Sequence, residues 1–185
     1  MEYKTDLSSF DNKWFKPGAS GIKRVLWYYV NIVFFLSPLF PSYKLKVKLL
    51  RLFGAQVGKR VIIKPSVNIK YPWKLNISDN VWIGENAWID NLAIVNIGAN
   101  VCISQGALLL CGNHNYKKST FDLLTGAITI EDGVWIGARA VVSPGVICRS
   151  HAVLTVGSVA VSNLEPFSIY KGNPAIKVRD RVIIS

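Results

Sequence analysis

The chain has 185 residues, half of them hydrophobic, and carries a formal net charge of +11. That size fits one domain with an appendage, and the apolar share supports a continuous core rather than a disordered or fibrous chain. Three cysteines, no CxxC and no secretory cleavage pattern favour a reducing cytoplasm over a disulfide framework.

The first segment, residues 1–54, is apolar and basic. Eleven Lys and Arg stand against three acids before residue 61. Such a balance invites acidic lipid, an anionic cofactor or nucleic acid. Nucleic acid is disfavoured, because no nucleic-acid-binding motif accompanies the charge. Val25 to Tyr43, VLWYYVNIVFFLSPLFPSY, holds no charged residue. Asn31 interrupts it, and Pro38 and Pro41 break its end. The pattern predicts a helix over 21–36, a Pro-containing turn and a second helix over 42–53. In the second helix Leu45, Leu49, Leu52 and Phe53 share a face, opposite Lys44, Lys48 and Arg51. Three readings stay open for this segment: an apolar helix packed on the rest of the chain or on a neighbouring subunit, a hairpin seated in an anionic membrane surface, and a true span.

From residue 55 to 165 a large aliphatic returns every sixth residue: Val57, Ile63, Ile69; Ile77, Ile83, Ile89; Ile97, Ile103, Leu109; Ile130, Ile136, Val142, Cys148, Leu154. A period of six fits neither a helix nor a simple strand. It suits a short strand and a tight corner, repeated around a triangular coil, with Gly, Asn and Asp at the corners. The period breaks after 69, 89 and 109, at intervals of twenty, which is one coil plus a small insertion. Three excursions therefore stack along one edge, at 70–76, 90–96 and 110–129. Stacked loops on one face are where a solenoid places its site.

Only two histidines exist, His114 and His151. Three His ligands for a catalytic zinc are therefore not available, and no metal is expected. His151 falls at a hexad corner and reads as an exposed turn residue. His114, in Cys111-Gly112-Asn113-His114, falls on the edge with the stacked excursions. It is either a loop histidine with a structural hydrogen bond or a proton acceptor, since imidazole is the one side chain that ordinarily abstracts protons near neutral pH. Cys111 lies close enough in sequence to raise a Cys/His nucleophile as a rival.

The stretches LLRLFGAQVGKRVIIKPSVNIKYPW, IGENAWIDN, VCISQGALLLCGNHNYKKSTFDL, IEDGVWIGARAVVSPGV and YKGNPAIKV resemble the colanic-acid-biosynthesis type of acetyltransferase. These belong to the hexapeptide-repeat acyltransferases, which include the maltose and galactoside O-acetyltransferases. The likeness covers roughly residues 20–180. It implies a mainly β fold, a left-handed parallel β-helix with an N-terminal helical segment and a long loop excursion, against the usual right-handed rule for crossovers. It implies acetyl transfer from acetyl-CoA to a hydroxyl of a sugar or polysaccharide precursor. His114 takes the place of the general base within a catalytic loop at 110–129. Asp90, Asn91 and Asn113 fall at acceptor-side positions, and Trp135 at an aromatic lining the site. Ala138, Val156 and Gly157 match positions whose backbone meets the pantetheine arm. Lys171 and Lys177 flank the GNPA stretch, within a tail at 166–185, that closes over the coenzyme. Some relatives carry a Thr-Lys pair near the adenine end where this chain has Val161 and Ser162. Phosphate contacts then fall to Lys177, Arg179 or Arg181.

The resemblance also implies a homotrimer. The basic apolar start suggests a lipid-linked glycan acceptor and peripheral association with the cytoplasmic face of the inner membrane. Trp82 and Trp88 read either as wall packing or as subunit contacts. The alternatives are the same fold with another acyl donor or an amino-sugar nitrogen as acceptor, and a non-catalytic, membrane-docked scaffold.

Overall fold

The computed structural model describes residues 4–184. Short parallel strands, most of two or three residues, wind into a three-sided β-helix. Each inward aliphatic sits on its counterpart one coil away. Ile63, Ile83, Ile103, Ile136 and Leu154 form one such column, and Ile69, Ile89, Leu109, Val142 and Ala160 another. These residues are fully or almost fully buried. Strand neighbours lie about 4.8 Å apart, so each coil covers the core of the one before it. A one-residue slip in register would turn every aliphatic outward, so the hexad pattern itself fixes the register.

The corners use two devices. Arg60, Asn80, Asn86, Asn100, Arg139 and His151 take positive φ between 54° and 62°. The glycines after the inward isoleucines serve a different need. A Cβ on Gly84 would lie 2.5 Å from the Gln105 backbone nitrogen, and one on Gly137 2.6 Å from that of Val156. Glycine stands there because the next coil's backbone passes too close for any side chain.

The outward rows differ by face. One face presents Gln56, Asn76, Asn96, Thr129 and Ile147. A second presents Ile62, Trp82, Cys102, Trp135 and Val153. The third presents Asn68, Trp88, Leu108, Val141 and Val159. Trp82 and Trp88 are 60% and 43% exposed.

The helical segment closes the first coil. Its first helix, α1 (Gly21–Val30), is capped by the Ser20 hydroxyl, which accepts from the Lys23 backbone N–H. It continues as a π-type stretch, Asn31–Leu36. Trp27 is buried and donates its indole N–H to the Ile69 carbonyl at 2.8 Å. Asn31 donates to Asn68 Oδ1 at 2.8 Å, and Phe35 is wholly buried. The inner side of this helix therefore packs on the solenoid. Among the described residues no helix is long and apolar enough to cross a membrane.

The second helix, α2 (Tyr43–Leu52), buries Lys46, Val47 and Leu50 most deeply; of the face expected from the sequence, Leu49 and the adjoining Phe53 pack partly buried against the core. Leu52 is 77% exposed. Lys46 turns inward because its ammonium reaches the Lys64 carbonyl at 2.8 Å and lies over the Phe35 ring, while its stem packs as a hydrocarbon. That burial lowers its pKa from 10.5. At the other end of the chain, Ser168–Gly172 and Ala175–Asp180 form an antiparallel hairpin that extends the second face beyond Val153–Leu154.

Candidate active site

The longest excursion leaves the third face after Leu108–Leu110 and folds back as an antiparallel hairpin. Gly112–His114 pairs with Leu123–Thr125, with His114 opposite Leu123. The Gly126 N–H donates to the Cys111 carbonyl at 2.9 Å, and the Cys111 N–H to the Asp90 carbonyl at 3.2 Å. The hairpin is thus anchored to the excursion one coil earlier. The N-terminal arm lies against it, with the Asp6 N–H donating to the Ser119 carbonyl at 2.8 Å.

His114 is half-buried, and its ring is held on three sides. Nδ1 lies 2.8 Å from the Phe121 carbonyl. A carbonyl can only accept, so Nδ1 carries the proton of the neutral ring and Nε2 is left with a free lone pair. The Phe121 ring stacks on the imidazole at 4.4 Å between centroids and 7° between planes. Phe10 of the N-terminal arm tilts against it at 5.7 Å. Phe121 takes a φ of 51°, uncommon for a bulky residue, and its carbonyl fixes the imidazole tautomer. An oriented imidazole with one available nitrogen can accept a proton from a hydroxyl.

Asp90 and Asn91 occupy the preceding excursion. Asp90 is buried, and one carboxylate oxygen pairs with the Lys70 ammonium at 2.8 Å. Its other oxygen lies 3.9 Å from where a Cβ on Gly112 would stand. His114 shares a strand face with Gly112, so this carboxylate sits beside the base of the His114 strand. Asn91 is 0% exposed. Its amide accepts from the Tyr71 N–H at 2.9 Å and donates to the Tyr71 carbonyl at 2.6 Å. It fastens the first excursion to the second and presents nothing to an acceptor. Asn113 is exposed, and its side-chain oxygen accepts from the His114 N–H at 2.8 Å.

Cys111 lies beneath the hairpin, fully buried, with its thiol pushed up to about 11 by desolvation first and by the Asp90 carboxylate among lesser causes. A buried thiol that stays protonated is not a nucleophile, so the Cys/His rival falls. Among the described residues no three His, Cys, Asp or Glu side chains gather as a metal-binding set. His151 takes a turn conformation, but it is half-buried and its ring stacks on Phe167 at 4.6 Å.

The other candidate residues lie elsewhere. Trp135 is on the second face, 48% exposed, donating its indole N–H to Ser104 Oγ at 2.9 Å. Ala138, Val156 and Gly157 lie at the corner between the second and third faces, where Gly157 has a φ of +65° and open space around it. The Gly157 N–H donates to the Ala138 carbonyl at 2.9 Å, which stacks these two corners. Lys171 and Lys177 are exposed on the C-terminal hairpin, and Lys177 pairs with Asp180 at 2.7 Å. Arg181 donates to the carbonyls of Gly133 and His151, so its guanidinium is already engaged. His114 rises from the corner between the third and first faces, which is the corner opposite the second face. One chain therefore gathers Asp90, Asn91, Asn113 and His114 at one edge and the remaining candidates on the second face, its hairpin extension or its corner with the third.

Three residues of the His114 surroundings escaped sequence reasoning. Phe10 is distant in the chain, and the Phe121 contribution is a backbone atom. Lys70 stands twenty residues before Asp90, the coil interval, and that spacing could have found it.

No protein-family model matches the chain. It is 36% identical over 177 residues to WcaF of Escherichia coli (strain K12), which carries the name of a colanic acid biosynthesis acetyltransferase; the match spans 96% of this chain and 97% of that one. It is 29% identical over 129 residues to the galactoside O-acetyltransferase of the same organism, spanning 68% and 64%. Among solved structures, the hexapeptide-repeat acetyltransferase VCA0836 of Vibrio cholerae complexed with acetyl coenzyme A superposes with a TM-score of 0.79 at 22% identity, covering 90% of this chain and 92% of that one. A galactoside acetyltransferase in complex with coenzyme A gives a TM-score of 0.77 at 26% identity, covering 90% and 85%.

Proposed function

Since the chain belongs to the hexapeptide-repeat acetyltransferases, acyl-CoA-dependent enzymes, and is similar over nearly its full length to one named for colanic acid biosynthesis, we propose that it moves an acetyl group from acetyl-CoA to a hydroxyl of a sugar, with His114 as general base. The observation that carries this reading is the Nδ1–H bond from His114 to the Phe121 carbonyl, which leaves Nε2 free at the edge of a hairpin. Nε2 accepts the hydroxyl proton as the oxygen attacks the thioester carbonyl. The imidazolium then returns that proton to the departing thiolate, so no covalent enzyme intermediate forms. The carbonyl of Phe121 and the stacked rings hold the imidazole in line through both transfers.

Coenzyme A belongs, in this reading, at the corner of Ala138, Val156 and Gly157, where Val156 and Gly157 are exposed and nothing lies within 4 Å of a Cβ on Gly157. Within one chain that corner, between the second and third faces, and His114, between the third and first, stand at different edges of the prism. A homotrimer, which sets the edge of one chain against a neighbour, completes the site. The outward rows support it. Two faces are mostly apolar and carry Trp82, Trp88 and Trp135, whereas the first face is mostly polar, with Ile147 at its far end. Exposed aromatics on a solenoid wall are what a subunit interface covers.

In this reading the enzyme works at the cytoplasmic surface of the inner membrane, and the outer side of the helical segment supports it. Ile22, Val25, Leu26, Tyr28, Tyr29 and Leu39 are each more than half exposed, beside Arg24, Lys44 and Lys48. The test is an acetylation assay with acetyl-CoA against a panel of sugars and amino sugars, read by mass spectrometry. Acetyl esters on a sugar hydroxyl support the reading. Amide products alone, or no transfer from acetyl-CoA, would turn it toward an N-acyltransferase or another donor.

A further inference from the structure

A groove of about 480 Å³ runs between α2 and the corner of the first coil at 58–61. Its helix wall carries Lys44, Lys48 and Arg51, spaced four and three residues apart and so in one row. Its coil wall carries Lys59 and Arg60, and no acidic residue lines it. Arg51 joins the two walls. Its Nε donates to the Val57 carbonyl at 3.0 Å, and its Nη2 to the Val57 and Gly58 carbonyls at 2.7 and 2.8 Å. Carbonyls accept these bonds without cancelling the charge, and none of the bonds uses Nη1. Arg60 likewise donates to an amide oxygen, that of Asn80. Lys44, Lys48 and Lys59 make no ion pair among the described residues. The Asp79 carboxylate, one coil on, accepts from the Lys59 backbone N–H at 2.7 Å and offsets one charge at most. Both ends of the groove are apolar. Tyr43 lines one end and is preceded by Leu39 and Phe40; the three are 41%, 81% and 37% exposed. Leu52, beside Arg51 at the other end, is 77% exposed.

We propose that this groove is a docking site for an acidic phospholipid whose headgroup joins two phosphates. The proposal deepens the membrane reading, on which it rests, and is independent of the acetyl-transfer chemistry. Cations on two facing walls, with no acid between them, call for an anion that reaches both. A headgroup with a single phosphate would satisfy one wall and leave the other uncompensated. With two phosphates, one meets the Lys44 and Lys48 row and the other meets Lys59 and Arg60, with the Arg51 fork between them. The acyl chains then spread where the apolar ends of the groove lie, over Leu39, Phe40 and Leu52. A soluble polyanion or a nucleic acid would leave those three side chains in water.

The test is flotation of the full chain with vesicles of phosphatidylcholine mixed with either cardiolipin or phosphatidylglycerol, matched in anionic charge, at about 0.15 M salt. Cardiolipin vesicles should bind at least roughly fivefold more tightly, because only cardiolipin joins two phosphates in one headgroup. Lys48→Gln and Lys59→Gln, one from each wall, should each weaken cardiolipin binding by roughly three- to fivefold, and Lys48→Arg should restore it. Arg149→Gln removes the same charge near the other end of the solenoid and should change binding by less than about twofold. Coenzyme A affinity should not change in these variants. Equal binding of the two acidic vesicles, or equal losses in Arg149→Gln and Lys48→Gln, overturns the proposal and leaves the membrane reading standing on general charge. Inorganic pyrophosphate binding as tightly as cardiolipin vesicles also overturns it, because the groove would then serve a soluble anion. No binding to either acidic vesicle overturns the proposal and the membrane reading together. Failure of the unaltered chain to bind coenzyme A would instead sink the acetyl-transfer reading, whatever the vesicles do.

Discussion

Gly137→Ala tests why the hexads need glycine after the inward isoleucine. The new Cβ would lie 2.6 Å from Val156 N, 2.7 Å from Leu154 O and 2.7 Å from Thr155 C. All three are backbone atoms, so none can rotate aside. Ordinary contact begins at 3.4 Å, so the coils must part by about 0.8 Å at this corner. That opening stretches the bond from the Gly137 N–H to the Leu154 carbonyl, now 2.7 Å. Overpacking of this kind costs about 2–3 kcal/mol, toward the upper end of its range because backbone must move. For a chain of this size the midpoint of thermal unfolding should fall by roughly 4–12 °C, measured by calorimetry on the purified protein. Gly145→Ala is the control. Its φ is +82° but nothing lies within 4 Å, so it should lose only about 1 kcal/mol of backbone preference. Because Val156 belongs to the proposed coenzyme corner, Gly137→Ala should also raise the KM for acetyl-CoA, whereas the equally strained Gly84→Ala should not. An unchanged midpoint in Gly137→Ala, or equal losses in it and the control, would refute the close-approach argument.

Lys70→Met strands the buried Asp90 carboxylate and should cost about 1–3 kcal/mol in urea denaturation, a buried-pair penalty reduced by the partly exposed ammonium. Burial raises the Cys111 and Cys148 thiols from 9.0 to about 11 and about 12. The unfolded chain therefore loses these protons first, so stability is complete below pH 9 and falls as pH rises toward 12, by roughly 3–4 kcal/mol for each thiol. Without denaturant, iodoacetamide at pH 8 should leave both thiols and the activity untouched, as read by mass spectrometry and turnover. His114→Ala and Gly157→Val should each be inactive alone. Unfolded and refolded together, they should regain up to roughly a quarter of normal turnover, since a site shared between subunits draws one intact half from each chain; no regain would place the whole site within one chain.

Much of the solenoid was legible in the sequence because each short strand spends one large aliphatic on the core, and a break in that rhythm marks an excursion directly. The twenty-residue interval placed Lys70, Asp90 and Leu110 on one edge, as the strand pairings of Ile69 with Ile89 and of Asp90 with Leu110 show. The buried face of α2 was legible only in part: Leu49 and Phe53 pack on the core, but Lys46 does so too. A lysine reads as solvent-facing, and only the free Lys64 carbonyl and the Phe35 ring give Lys46 a reason to turn inward. The corner glycines carried a true signal with a second cause, because the approach of the next coil has no local signature. The surroundings of His114 depend on an arm more than a hundred residues away and on a main-chain oxygen, and residue type encodes neither.

Everything proposed for catalysis depends on Nε2 of His114 taking a proton from the acceptor. The most direct measurement is the turnover of His114→Ala beside its coenzyme A affinity, under conditions where the unaltered chain transfers acetyl groups. Turnover should fall by roughly 10²–10⁴-fold while the coenzyme still binds as before. Turnover within a few-fold of the unaltered chain would contradict the account.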